Sequence, residues 1–154
     1  MAIQLEKADV ADCGMIHRMQ VEAFQPLLDR YGDVDTNPAA EPVERVLHRL
    51  EQACTDYYLI RWGGRPVGAV RILRLEGNIC RIAPLFILPA FQGRGLAQQA
   101  IKQVESLYPQ AAGWRLDTIG EEAALCHLYE KMGYRKTGRE EPIQPGMTIV
   151  YYAK

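Results

Sequence analysis

Apolar and polar residues alternate from Ile3 to Lys7, which predicts a strand. Asp9 is placed to cap the helix that follows, with Asp12 in its first turn. In that helix Met15, Ile16, Met19, Ala23 and Leu27 recur at helical spacing, and the pattern ends near Tyr31-Gly32. A polar loop from Asp33 to Pro38 leads to a second helix, with Pro42 in its first turn and Val46, Leu47 and Leu50 facing inward. Tyr57 to Trp62 and Pro66 to Leu75 read as strands joined by a Gly63-Gly64 hairpin turn. After the turn Glu76-Gly77-Asn78 comes a strand from Ile79 to Leu88, whose second half is so apolar that both its faces should be covered. Gly93 to Leu107 reads as a helix, Trp114 to Ile119 as a strand, and Glu121 to Met132 as a helix stopped by Gly133. Tyr134 to Thr137 and Met147 to Tyr152 read as the last strands, joined by a Pro-rich loop. Strands and helices interleave, so the class is α/β or α+β, one domain over residues 1–154 with a central mixed sheet.

Composition narrows the function. The 154 residues are 48% hydrophobic and 24% charged with a net charge of -1, the profile of an ordinary soluble domain. That charge gives no reason to expect nucleic acid or an anionic membrane as partner. No apolar run is long enough for a membrane helix, and the N-terminus lacks the order of a signal peptide. Cysteines 13, 54, 80 and 126 form no Cys-x-x-Cys pair, so no metal site is expected, and a reducing, cytoplasmic setting is.

One stretch carries candidate chemistry. In Pro84-Leu85-Phe86-Ile87-Leu88-Pro89-Ala90-Phe91-Gln92-Gly93-Arg94-Gly95-Leu96-Ala97 an apolar strand runs through a short turn and a Gly-x-Gly into a helix. A helix start offers unpaired N–H groups and a positive dipole end, and glycines let backbone approach an anion closely. The segment is therefore a candidate phosphate cradle, or else only a tight turn. It lacks the Gly-Lys-Ser/Thr of a P-loop, and Gln98 stands where a dinucleotide fingerprint needs a small residue.

Gln92-x-x-Gly95-x-Ala97 resembles the signature Gln/Arg-x-x-Gly-x-Gly/Ala of the GNAT N-acetyltransferases. Leu128-Tyr129-Glu130-Lys131-Met132-Gly133-Tyr134 resembles the family's later helix-and-strand motif. The order of elements matches from Ile3 to Tyr152. The resemblance implies a GNAT fold and acetyl transfer from acetyl-CoA to a primary amine by direct attack in a ternary complex. It implies pyrophosphate binding by Gln92, Gly93, Arg94, Gly95, Leu96, Ala97 and Gln98, and pantetheine pairing along Leu85, Phe86 and Ile87. It assigns Tyr129 as general acid and makes a homodimer an option. For the base it suggests Asp117; His127 and Glu22 are further candidates, each also readable as a surface residue.

Two positions depart from the family. Glu122 stands where many relatives carry a cofactor-holding Asn, and Ala83 where many carry an acid. A water relay therefore becomes an option for the base. The acceptor, a small-molecule or peptide amine, would sit among Phe24, Tyr31, Asp33, Asp35, Thr36, Asn37 and the loop Glu140 to Met147. A free amino acid, a polyamine, an aminoglycoside-like drug and a protein amine all remain open. An acyl-CoA sensor with little turnover and a transferase of longer acyl groups are the rival readings.

Overall fold

A computed structural model describes residues 2–154. The first strand, β1 (Gln4–Lys7), leads through a short turn capped by Asp9 into α1 (Cys13–Tyr31). Gly32 ends α1 in the left-handed region and donates its N–H to Leu28 O at 2.7 Å. Helix α2 (Val43–Glu51) precedes the long antiparallel ribbon of β2 (Thr55–Trp62), β3 (Arg65–Leu75) and β4 (Ile79–Ile87). Then follow α3 (Leu96–Leu107), β5 (Gly113–Ile119), α4 (Ala123–Lys131) and a final hairpin, β6 (Arg135–Gln144) and β7 (Met147–Ala153). The seven strands lie in the order β1-β2-β3-β4-β5-β7-β6, and every pairing is antiparallel except β4 with β5. This is the mixed, mostly antiparallel sheet expected.

The pleat sends alternate side chains to two cores. Ile16 and Met19 of α1 and Val46 of α2 pack with Tyr57, Leu59, Ala69 and Phe86 on one face. On the other, Ala100, Ile101 and Val104 of α3 and Cys126 and Tyr129 of α4 join Ile60, Val70, Ile72, Leu116 and Val150. Glycine at position 68 is dictated by the sheet itself, because a Cβ there would collide with the Phe86 carbonyl oxygen.

Two irregularities in β4 shape the site. Val70 pairs with Leu85 but Ile72 with Ile82, so Ala83 and Pro84 bulge out of the β3–β4 ladder, as a residue without an N–H favours. The Ala83–Pro84 peptide is cis. On its other side β4 pairs with β5 only at Ile79–Gly113, Cys80–Trp114 and Arg81–Arg115. Beyond Arg81 the strands part, and the β5-facing edge of β4 is left free.

Three boundaries differ from expectation. Helix α3 starts at Leu96 rather than Gly93, because Gly93 and Gly95 sit at φ 77° and 75°, outside helical space. Helix α4 starts at Ala123, with Glu122 as its non-helical N-cap rather than in its first turn. The Pro-rich segment before Met147 is mostly strand. Strand β6 runs to Gln144 and only Pro145-Gly146 turns, with Gly146 at φ 81°. Tyr134 falls in the loop before β6 and is buried there.

Candidate active site

A cleft of about 720 Å³ opens where β4 and β5 part. Its walls include Leu85, Phe86 and Ile87 of β4, Gln92, Gly93 and Gly95 to Gln98 at the start of α3, and Asp117, Thr118 and Ile119 of β5. Leu128 and Tyr129 of α4 and Met147 and Ile149 of β7 also line it. The far wall is Phe24, Leu27, Asp33, Thr36, Asn37, Glu41, Arg49 and Arg71. Of the sequence-predicted residues, the β4 edge, most of the glycine segment, Tyr129 and Asp117 thus share one cavity. His127 also lines it from an exposed position, whereas exposed Glu22 is not among its lining residues.

The glycine segment leaves a run of backbone amides unpaired. Among the described residues the amides of Gly93, Arg94, Gly95, Leu96, Ala97 and Gln98 donate no backbone hydrogen bond, and no side chain caps α3. Helix geometry leaves the first amides orphaned, and their dipoles sum toward the cleft end of the helix. A Cβ at Gly93 or Gly95 would meet nothing within 4 Å, so the space over this backbone is open. Gln92 fixes the loop by donating from Nε2 to Ile87 O at 2.8 Å. Phe91 packs edge-on against Trp62, with centroids 6.0 Å apart. The Arg94 side chain lies apart from the other residues of the segment. Its guanidinium lies 5.3 Å from the centre of the Trp62 ring, and the residue is not part of the cleft lining.

Tyr129 is 7% exposed and packs against Tyr134 and Tyr152, with centroids 6.4 and 6.3 Å away. Its hydroxyl is pushed up to about 12 by burial, then by the nearby Asp117 and Cys126 charges. It is therefore neutral and carries its proton at physiological pH. Burial also raises the Asp117 carboxyl, and this outweighs the opposing pull of Arg81, whose Nη2 lies 2.5 Å from Asp117 Oδ2. The result is a carboxylate with elevated basicity on the cleft wall.

Glu122 does not reach the cleft. Its Oε2 accepts from Arg30 Nη1 at 2.5 Å and from Tyr31 Oη at 2.6 Å, tying the end of α1 to the start of α4. Burial works against its charge, but the hydrogen bonds from Tyr31 and Arg30 win and hold the carboxyl below its ordinary value. Gln144 Nε2 donates to Tyr31 O at 2.6 Å, so the final hairpin joins the same latch. Asp33 lines the cleft, yet its carboxylate accepts from Thr36 Oγ1 and Asn37 Nδ2 within its own loop, at 2.8 and 3.2 Å.

The sequence reading passed over Arg49 and Arg71. The available signal was Arg71 itself, a lone cation inside the apolar run from Val67 to Leu73. Alternation places it on the face of Tyr57, its cross-strand partner, and of Ala69.

The fold resembles an acetyltransferase from Thermus thermophilus at 18% identity and TM-score 0.77, covering 100% of this chain and 97% of that one. It also resembles the ribosomal-protein-S18-alanine N-acetyltransferase of Escherichia coli (12% identity, TM-score 0.78, 98% and 92% covered). A third likeness is to spermidine N-acetyltransferase from Vibrio cholerae, in complex with CoA and spermine (15% identity, TM-score 0.77, 99% and 94% covered). No curated protein sequence matches the chain. The sequence model of the acetyltransferase (GNAT) family matches residues 16–134, and the chain belongs to that family. No helix among the described residues is long and apolar enough to cross a membrane.

Proposed function

We propose that this chain is an acetyl-CoA-dependent N-acetyltransferase acting on a primary amine. One observation carries the reading: the unpaired amides of Gly93 and of Gly95 to Gln98, the free β4 edge, Tyr129 and Asp117 converge on one cleft. Acetyl-CoA supplies the acetyl thioester. The amides from Gly93 to Gln98 hold its pyrophosphate, and the free backbone at Leu85, Phe86 and Ile87 pairs with its pantetheine arm. A β4 N–H facing the gap also stabilises negative charge developing on the thioester oxygen. Asp117 draws the proton from the ammonium form of the acceptor, which sits near 10.4 for a lysine-like amine and is mostly protonated at neutral pH. Tyr129 keeps its proton for the departing sulfur. Attack is direct, in a ternary complex.

Thermal unfolding with and without acetyl-CoA, with ATP and NAD as controls, tests the first half of this reading. A ligand at one hundred times its dissociation constant adds about 2.7 kcal/mol, a Tm rise of roughly 5–10 °C for a domain this size. No rise at millimolar acetyl-CoA sinks the proposal. Release of free thiol on adding amines then tests turnover, and binding without release with any amine favours a sensor.

A further inference from the structure

Three guanidinium groups, those of Arg49, Arg71 and Arg81, line the acceptor side of the cleft. Two are matched. Arg49 grips Glu41 with both Nη atoms at 2.8 Å, and Arg81 pairs with Asp117. Arg71 is not. Among the described residues no carboxylate oxygen lies within 4 Å of it. It donates only to neutral oxygens, Ala83 O at 2.9 Å and Gln52 Oε1 at 3.2 Å. Those bonds use two of its five N–H groups, and its Nε is buried without any partner. The hydroxyl of Tyr57, paired with Arg71 across the strands, is likewise buried and unpartnered.

Arg71 is only 8% exposed. A buried charge without a counter-ion is costly, and arginine does not shed its proton in response. Burial, and then repulsion from Arg49, push against its charged form. Arg71 thus carries a buried positive charge with no carboxylate paired to it, although the three arginines and three carboxylates of the lining balance in number. The remaining carboxylate there, Asp33, is engaged within its own loop.

We propose that the acceptor is a primary amine that also bears a carboxylate, and that Arg71 receives that carboxylate on the far wall of the cleft. This rests on the N-acetyltransferase reading and names its substrate class. A guanidinium fork matches a carboxylate in plane and adds charge-assisted hydrogen bonds. The same arginine disfavours a polyamine, whose second ammonium would meet a guanidinium that no carboxylate pairs with. A purely structural Arg71, pinning the Ala83 carbonyl at the bulge, would confer no preference for acidic amines.

The test compares the twenty common L-amino acids with their α-carboxamides, spermidine included as a cationic amine. Binding to the wild-type protein is read by calorimetry with and without saturating CoA, and thiol release gives the rates. We expect at least one amino acid to exceed its own amide by at least about tenfold, as loss of a charged hydrogen-bond partner implies. Arg71→Lys should keep part of that ratio, and Arg71→Gln should bring it near unity. A panel in which no amino acid exceeds its amide, or in which spermidine is preferred, overturns the proposal. So does a ratio that survives Arg71→Gln. Should that variant fail to fold, the wild-type ratio decides alone. Failure of acetyl-CoA to bind sinks the transferase reading separately, since amine binding is also measured without CoA.

Discussion

Replacing Tyr129 by Phe isolates the proton donor from the fold. The ring contacts with Tyr134 and Tyr152 are kept, and no hydrogen bond is among the causes that raise the hydroxyl. No buried partner is therefore orphaned, and the expected stability change is under about 1 kcal/mol, a Tm shift within roughly 4 °C. The catalytic effect is set by acidity. A hydroxyl near 12 is a weaker acid than a thiol with a parent value of about 8.5. It helps by hydrogen bonding to charge as it builds on sulfur, and full transfer to a free thiolate runs uphill. That places it at the lower end of general-acid contributions, about 100-fold in kcat, or about 2.7 kcal/mol of transition-state stabilisation. The assay is colorimetric thiol release at saturating acetyl-CoA and acceptor, with KM for acetyl-CoA recorded beside kcat. A kcat within about threefold of wild type in a folded variant refutes the assignment. A loss confined to KM refutes it equally.

Asp117→Asn should remove the acidic limb of the kcat profile, since rate rises with pH as a carboxyl held above its usual range loses its proton; an unchanged limb assigns that titration to another group. Gly68→Ala should drive Phe86 off its register and cost about 1–3 kcal/mol, with acetyl-CoA affinity falling alongside, as denaturant titration and calorimetry will show. Gly95→Val should weaken acetyl-CoA binding at least tenfold, because a branched residue at φ 75° adds about 1–2 kcal/mol of backbone strain and fills the open space above the amides; normal affinity would place the cradle elsewhere. Glu122→Gln should lower Tm at neutral pH. The folded carboxyl is depressed, so its stabilisation is present above the unfolded value and is lost as pH falls through the folded one, where the two proteins should converge.

The elements that pack were legible because packing leaves a period in the sequence. Ile16 and Met19, or Ala100, Ile101 and Val104, announce a buried helix face directly. The length of strand β6 beyond Thr137 escaped because it is a sheet edge whose residues from Arg135 to Pro142 are all exposed, so no inside-outside alternation was written into it. The turn into α3 was legible because its signal is local: two glycines and a helix start. The side-chain partners of Glu122 and Arg94 were not legible because they are distant in sequence, at Tyr31 and Arg30 for one and Trp62 for the other. Arg71 has the same character. Its isolation is a property of what does not surround it, which no local pattern records.

The parting of β4 from β5 also bears on what the protein refuses to bind. Unpaired strand edges normally invite other polypeptides, and the outer rims answer this with charge and proline, as Glu140, Glu141 and Pro142 do on β6. The free edge of β4 needs no such guard. It lies inside the sheet, at the bottom of a wedge that closes to ordinary strand pairing at Arg81. A neighbouring chain adding there would bring a side chain at every residue, alternately up and down, into a gap bounded by β5 and roofed by α3 and α4. A slender chain with amide groups and few branches meets less of an obstacle. The wedge thus acts as a sieve against protein aggregation at the one edge the fold keeps exposed for its own use.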